Sequence, residues 1–392
     1  MSVPSPLLMV LLLWGCGLGA AAQFGKVSVL FDLIAADYPA AGQVTLGLIV
    51  SVVGFVGLIF GTTAGLFVQR LGYRRVLGTA LASGAGLSVL QAGMPPLPVM
   101  LGLRLMEGVS HLAIVVSAPV LIAQIAPLRH QGLAMTLWSS FFAVSFALTA
   151  WAGRPLALTY GNGALFLAHA AYMAVFAGLI WRVLPRDVAE TSAKVALADL
   201  ALQHRAIYAS PRISAPALGF FCYTLTYVAL LTLLPPMIGG AHQALISTAM
   251  PLVSIAVSLS LGVWALRHVA AVTLVQVGFG VAVAAALVLW GLWGSAAAMM
   301  VASLTLAGAL GVVQGASFAA IPQLNPSASA RARSAGAIAQ LGNLGTTTGT
   351  PLLAVLIAGQ GVVGMALFVI LPSMLGIVLH RWQAARRRLL PD

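Results

Sequence analysis

Apolar runs of about twenty residues recur along the whole of this 392-residue chain, each broken by glycine, proline or a charged turn. An α-helix rising 1.5 Å per residue needs about that length to cross roughly 30 Å of hydrocarbon. The runs predict twelve transmembrane helices, at about 7 to 33, 43 to 68, 75 to 94, 97 to 124, 132 to 153, 162 to 183, 212 to 238, 243 to 265, 270 to 291, 296 to 321, 334 to 358 and 361 to 381. The first run resembles a signal peptide, and LWGC imitates a lipoprotein cleavage box. It has no basic stretch in front and many spans behind, so it reads as the first helix. The longest polar gap, about 184 to 211, separates two six-helix halves. The predicted domains are a bundle over 1–184, a cytoplasmic linker over 185–210 and a second bundle over 211–392. Val195, Leu197, Leu200 and Leu202 fall partly on one side of the linker, as in a helix lying on the membrane.

Composition sharpens this picture. Hydrophobic residues make up 61% of the chain and charged residues 7%, against about 25% charged in an ordinary soluble domain. The net charge of +12 is concentrated in alternate short gaps, including Arg70, Arg74, Arg75, Arg129, Arg182, Arg186, Arg267, Arg331, Arg333 and Arg386 to Arg388. The intervening gaps hold little beyond Asp37, Arg154 and His242. By the positive-inside rule both termini are expected in the cytoplasm, with the chain in a bacterial inner membrane. The basic excess therefore reports orientation and contact with membrane lipids, and no nucleic-acid partner is expected. Cys16 and Cys222 lie inside apolar runs with no disulfide or metal spacing. No HExxH, paired intramembrane acids or Cys/His cluster suggests an enzyme, and no cofactor or metal is expected.

The gap after the second run reads GLFVQRLGYRR, with Gly65, Gln69, Arg70, Gly72, Arg74 and Arg75. A tight turn between membrane helices favours Gly72, which tolerates positive φ, and the arginines suit anionic headgroups. A plain membrane anchor would account for Arg74 and Arg75. A weaker copy, GVWALRHVAA, follows the eighth run and sets Gly262 against Gly65 and Arg267 against Arg70. Such internal repetition is a habit of transporters.

Twelve spans in two halves, the central loop and this arginine-glycine turn resemble the major facilitator superfamily. A second pattern of that family, in the fourth helix, is approximated by RLMEG, Arg104 to Gly108, with Glu107 where the family has Gln. The resemblance implies an all-α membrane fold of two pseudo-symmetric six-helix bundles that rock about a midplane cavity. The glycine-proline motif of drug-proton antiporters is missing from LWSSFFAVSFALTAWAG in the fifth helix. The family usually has an acid at the position of Gln69, docked on the N-terminus of the eleventh helix. Here Ser334 is the predicted N-cap of that helix, and a neutral amide forfeits about 0.3–1 kcal/mol of helix-dipole attraction. The resemblance therefore implies gating roles for Gln69, Arg70, Gly72, Arg74, Arg75 and Ser334, with an inner gate that closes less firmly.

An ionised side chain at mid-bilayer costs about 2.5–3.5 kcal/mol even on mild scales, so each is a functional candidate. The first helix carries Lys26 and, nearer its outer end, Asp32; the fourth carries Arg104, Glu107 and His111 at i, i+3, i+7, one helix face. Gly108 beside them leaves room for a neighbouring helix. Arg104 and Glu107 read either as a pair that neutralises its own burial or as a site in which Arg104 and Lys26 bind an anion while Glu107 titrates. His111 reads as a proton partner or a packing residue. Asp32 reads as a headgroup contact, or as the acid that works with Arg104 in some sugar-type relatives. The second half contributes neutral groups: Tyr223 and Tyr227 in the seventh helix, an aromatic stripe that reads as packing or as a binding wall, Gln314 in the tenth, and Gln340 and Asn343 on one stripe of the eleventh, where Gly342, Gly345 and Gly349 permit close approach.

The expected function is secondary active transport of a small anionic or zwitterionic organic solute, coupled to protons, by a monomer. Drug or metabolite efflux by proton antiport and passive facilitation are the alternatives.

Overall fold

A computed structural model describes residues 5–62, 64, 68, 71–127, 134, 137–185 and 197–389. Gly65, Gln69 and Arg70 lie outside the described residues. Described residues form helices and no strand. Nine helices are long and apolar enough to cross a membrane, or ten if Gln43–Ser51 and Val53–Phe60 are taken as one bent span.

The helices are α1 (Pro6–Ser28), α2 (Phe31–Asp37), α3 (Gln43–Ser51), α4 (Val53–Phe60), α5 (Tyr73–Ala92), α6 (Leu97–Ile125), α7 (Phe141–Leu148), α8 (Arg154–Tyr160) and α9 (Asn162–Val183). They continue with α10 (Leu197–Ala209), α11 (Ala215–Ile238), α12 (His242–Val257), α13 (Val263–Ala265), α14 (Ala271–Gly291), α15 (Ala296–Leu324) and α16 (Ala328–Arg388). Two π-helical turns, Thr149–Gly153 and Ser258–Gly262, join α7 to α8 and α12 to α13. Such turns insert a residue into the helical ladder and are frequent at functional sites. The long α16 changes direction at Gly361, whose φ of 55° interrupts the helical backbone and separates the predicted eleventh and twelfth runs.

Starts and stops follow local chemistry. Ser5 caps α1, its hydroxyl accepting from Leu8 N at 3.3 Å, with Pro6 at the first position. Gly72 enters α5 at φ 87°, the positive φ expected of the turn. Ser327 caps α16 by accepting from Ala330 N at 3.2 Å. Ser334 is therefore not the N-cap: it lies inside the helix, buried, and its hydroxyl donates to Ile213 O at 2.9 Å. The start lies earlier because Ser327 has extended backbone with ψ 147°, which a capping residue needs.

Two compact units emerge: residues 1–41 with 52–194, and residues 42–51 with 195–392. The short α3 belongs to the second unit because Gly47 lies flush against α16, where a Cβ would meet Pro351 Cα at 2.9 Å. In the first unit the missing side chain of Gly108 admits α4, since a Cβ there would collide with Val53 O. In the second, Gly345 and Gly349 of α16 take the backbone of α11 at Leu225 in the same way.

Candidate functional site

Three pairs of polar residues at i, i+3 converge inside the first unit: Gln23 and Lys26 on α1, Ser88 and Gln91 on α5, and Arg104 and Glu107 on α6. His169 joins them from α9. Gln23, Lys26, Ser88, Gln91, Arg104 and Glu107 have no solvent exposure, and His169 has 5%.

Lys26 Nζ is the hub. It lies 2.7 Å from Glu107 Oε1, 2.8 Å from Gln91 Oε1, 2.8 Å from Ser88 Oγ and 3.3 Å from His169 Nδ1. The Phe166 ring covers it at 4.8 Å. The other carboxylate oxygen of Glu107 accepts from Gln91 Nε2 at 3.0 Å and from Arg104 at 2.5 Å. Arg104 also donates to Gln23 O at 2.6 Å. Hydrogen positions follow from these contacts. His169 Nε2 faces the carbonyl of Gly19 at 3.0 Å and so carries the hydrogen, which leaves Nδ1 an acceptor. Ser88 donates to Phe166 O at 2.9 Å and so accepts from Lys26. Four acceptors surround one amine, which suits an ammonium with three hydrogens. Two cations then share one carboxylate.

Lys26 and His169 also border a cleft of about 250 Å³ between α1, α9 and the π-turn, lined mainly by apolar side chains such as Leu18, Leu148 and Leu156 with Thr149 among them.

Other candidates stand apart from this hub. Asp32 does not reach Arg104; it takes both ends of the Arg154 guanidinium at 2.7 and 2.6 Å, while Arg154 also donates to Val29 O. The reason is position: Asp32 lies on α2, beyond the break after Ser28, level with the start of α8. His111 Nδ1 is 3.0 Å from Ala20 O and its ring meets Phe24 edge-on at 5.0 Å, the geometry of a packing residue. Arg74 donates through both Nε and Nη2 to Trp181 O, at 3.2 and 2.5 Å, and lies over the Trp181 ring. It ties the α5 entry to the end of α9 instead of serving only as a headgroup anchor. Arg75 is exposed at the same entry.

In the second unit Tyr223 and Tyr227 stack at 5.1 Å, and Phe220 joins them. Gln314 is half-buried and makes no side-chain hydrogen bond among the described residues. Gln340 is committed to the linker helix: it accepts from Tyr208 Oη at 2.7 Å and lies 3.3 Å from His204. Asn343 spends its amide on Ala339 O within α16.

The sequence family described as the Major Facilitator Superfamily matches residues 13–350. The chain belongs to the major facilitator superfamily. Two solved structures described as a bacterial homolog to the human lysosomal transporter Spinster are similar over almost the full length of both chains. The inward-facing, unoccupied form aligns at TM-score 0.80 and 13% identity, covering 98% of this chain and 99% of that one. The inward-facing, occupied form aligns at 0.75 and 12%, covering 100% and 98%. At such identity the likeness is one of fold. No curated protein matches the chain.

Within this superfamily member, three side chains of the hub escaped sequence reading: Ser88, Gln91 and His169. Gln23 contributes its backbone carbonyl, while its side chain donates to Ser110 Oγ at 3.0 Å. Ser88 and Gln91 were visible as polar positions three residues apart in an apolar run. His169 has Tyr172 at the same spacing, but a histidine and a tyrosine on one face do not differ in sequence from packing residues.

Proposed function

We propose that this integral membrane protein is a secondary active transporter working by alternating access, in which the Lys26–Glu107–Arg104 hub couples solute movement to protons. The observation that carries the reading is the charge count of a hub with no solvent exposure: Lys26 and Arg104 against Glu107. A dry interior penalises an unbalanced ion severely. Arginine stays protonated in proteins, and Glu107 is held by two cations. Removal of one proton from Lys26 would balance the hub, and its return would unbalance it. Proton occupancy thus becomes a switch with an energetic consequence for how α1, α5, α6 and α9 pack.

The cation excess favours a small anionic or zwitterionic organic solute. Lys26 and Arg104 act on it through the field of the hub, because their hydrogen-bonding capacity is largely spent on protein partners. Tyr223 and Gln314 are the better candidates for neutral contact, since neither makes a side-chain hydrogen bond among the described residues, although the Tyr223 ring stacks on Tyr227. Twelve spans in two bundles fit the helices if the bent pair counts once, the helix kinked at Gly361 counts twice and α5 crosses as well. The arginine distribution supports cytoplasmic termini in a bacterial inner membrane.

The test starts with a thermal-shift screen of purified protein against carboxylates, amino acids, sugars and chelators, because a ligand of the folded state raises its apparent stability. Uptake of a hit is then measured in proteoliposomes with and without an imposed pH gradient. The gradient should drive accumulation in the parent protein and fail to do so in Lys26→Met. Uptake that ignores the gradient in the parent would mark a passive facilitator.

A further inference from the structure

From residue 200 to residue 391 the chain contains no Asp or Glu, yet it carries nine arginines. Three of them come together where α16 ends against the segment that leads into α11. Arg386 donates to Ala209 O at 2.8 Å and to Gln383 Oε1 at 3.3 Å, and its guanidinium lies 5.0 Å over the Trp382 ring. Arg387 donates to Pro211 O at 3.0 Å. That bond sets Arg387 beside Arg212, the residue that follows Pro211. Among the described residues, neutral carbonyl and amide contacts hold Arg386 and Arg387 in place without neutralising either. Arg387 uses a single one of its five N–H donors on a described residue.

Below this cluster, α16 presents an uncovered apolar stripe. Leu371 is 61% exposed, Met374 47%, Leu375 46% and Val378 56%, and Trp382 continues the line at 51%. Their spacing of i, i+3, i+4, i+7 and i+11 places them on one helix face, and Arg386 extends it by one more turn. Read upward, the face changes from aliphatic to aromatic to cationic over four turns. That is the polarity profile of one phospholipid leaflet, from acyl chain through interface to headgroup.

We propose that this face is a binding site for an anionic phospholipid, with one acyl chain along Leu371–Val378, the glycerol level at Trp382 and the phosphate held by Arg386, Arg387 and Arg212. The phosphate supplies the negative charge that residues 200–391 lack, and pinned guanidiniums suit its oxygens. The aliphatic stripe is what selects a lipid over free phosphate, since inorganic phosphate gains nothing from it.

The experiment is native mass spectrometry of the full-length protein in detergent with added phosphatidylglycerol or phosphatidylcholine. Arg386→Gln/Arg387→Gln should lower phosphatidylglycerol affinity roughly tenfold or more, as expected for two cations at an anionic surface, and leave phosphatidylcholine unchanged. Arg331→Gln/Arg333→Gln, with the same loss of charge elsewhere, should retain binding. Because Arg386 and Arg387 also hold the linker backbone, Arg386→Lys/Arg387→Lys serves as the second variant and should bind within about threefold of the parent, as charge is kept. Equal losses in the two Gln variants would reduce the site to diffuse basic charge and overturn the proposal. A Lys variant as weak as the Gln variant would overturn it too, by making linker anchoring the cause. Displacement of the lipid by millimolar inorganic phosphate would reassign the cluster to a free anion.

Discussion

In the first unit Lys26, Arg104 and Glu107 meet across α1 and α6 with no exposure, and α5 and α9 reach in to complete their hydrogen bonds. In the second, polar side chains inside the helices mostly bond the carbonyl one turn back: Thr226 to Cys222, Thr232 to Val228, Ser317 to Val313 and Thr346 to Gly342. A bond to the preceding turn is available in any helix and says nothing about the neighbouring one. A buried charge has no such refuge and must find partners on other helices. Both units use glycine-to-backbone fit, as at Gly108 in the first and Gly349 in the second, but the first adds buried ion pairs, which the second lacks among its described residues. Ionic keying responds to a proton, whereas steric keying does not, which is why the proposed coupling is assigned to the first unit.

The hardest test of this contrast is Glu107→Gln, which leaves two cations facing each other in a dry interior. It should lower stability by about 3–5 kcal/mol, read as a large drop in the thermal unfolding midpoint in detergent. Lys26→Met keeps the balanced Arg104–Glu107 pair and should cost clearly less. If the two variants fall together, the imbalance is not what governs the hub.

The steric side of the comparison is probed by Gly349→Val, whose side chain would collide with Leu225 O of α11. Overpacking of this kind costs about 1–3 kcal/mol, and the loss should be the same at pH 6 and pH 8. A loss that changed with pH would blur the distinction between the units.

Smaller effects sharpen the boundary of the hub. Ser88→Ala removes the hydroxyl that accepts from Lys26 and donates to Phe166 O; about 1–2 kcal/mol is expected, with a changed pH dependence of any transport activity. Asp32→Asn breaks a partly exposed pair with Arg154 and should cost at most about 1 kcal/mol. Transport coupling should survive it, because Asp32 lies outside the hub. Loss of coupling in Asp32→Asn would extend the hub to α2.

Hydrophobic run length determined by itself that the chain spans a membrane many times, since the thickness of hydrocarbon translates directly into residues per helix. The scarcity of charge singled out Lys26, Arg104 and Glu107, which the fold buries together, and the turn chemistry of RLGYRR at Gly72 was legible because only glycine is at ease at φ 87°. Sequence spacing relates residues on one helix and is silent on which helices touch. Tertiary structure alone decided that Lys26 meets Glu107 across 81 positions, that Asp32 belongs to Arg154, that Gln340 holds the linker and that His169 completes the hub. Tertiary structure also moved the cap of α16 from Ser334 to Ser327, since a cap is defined by backbone angles and not by residue type.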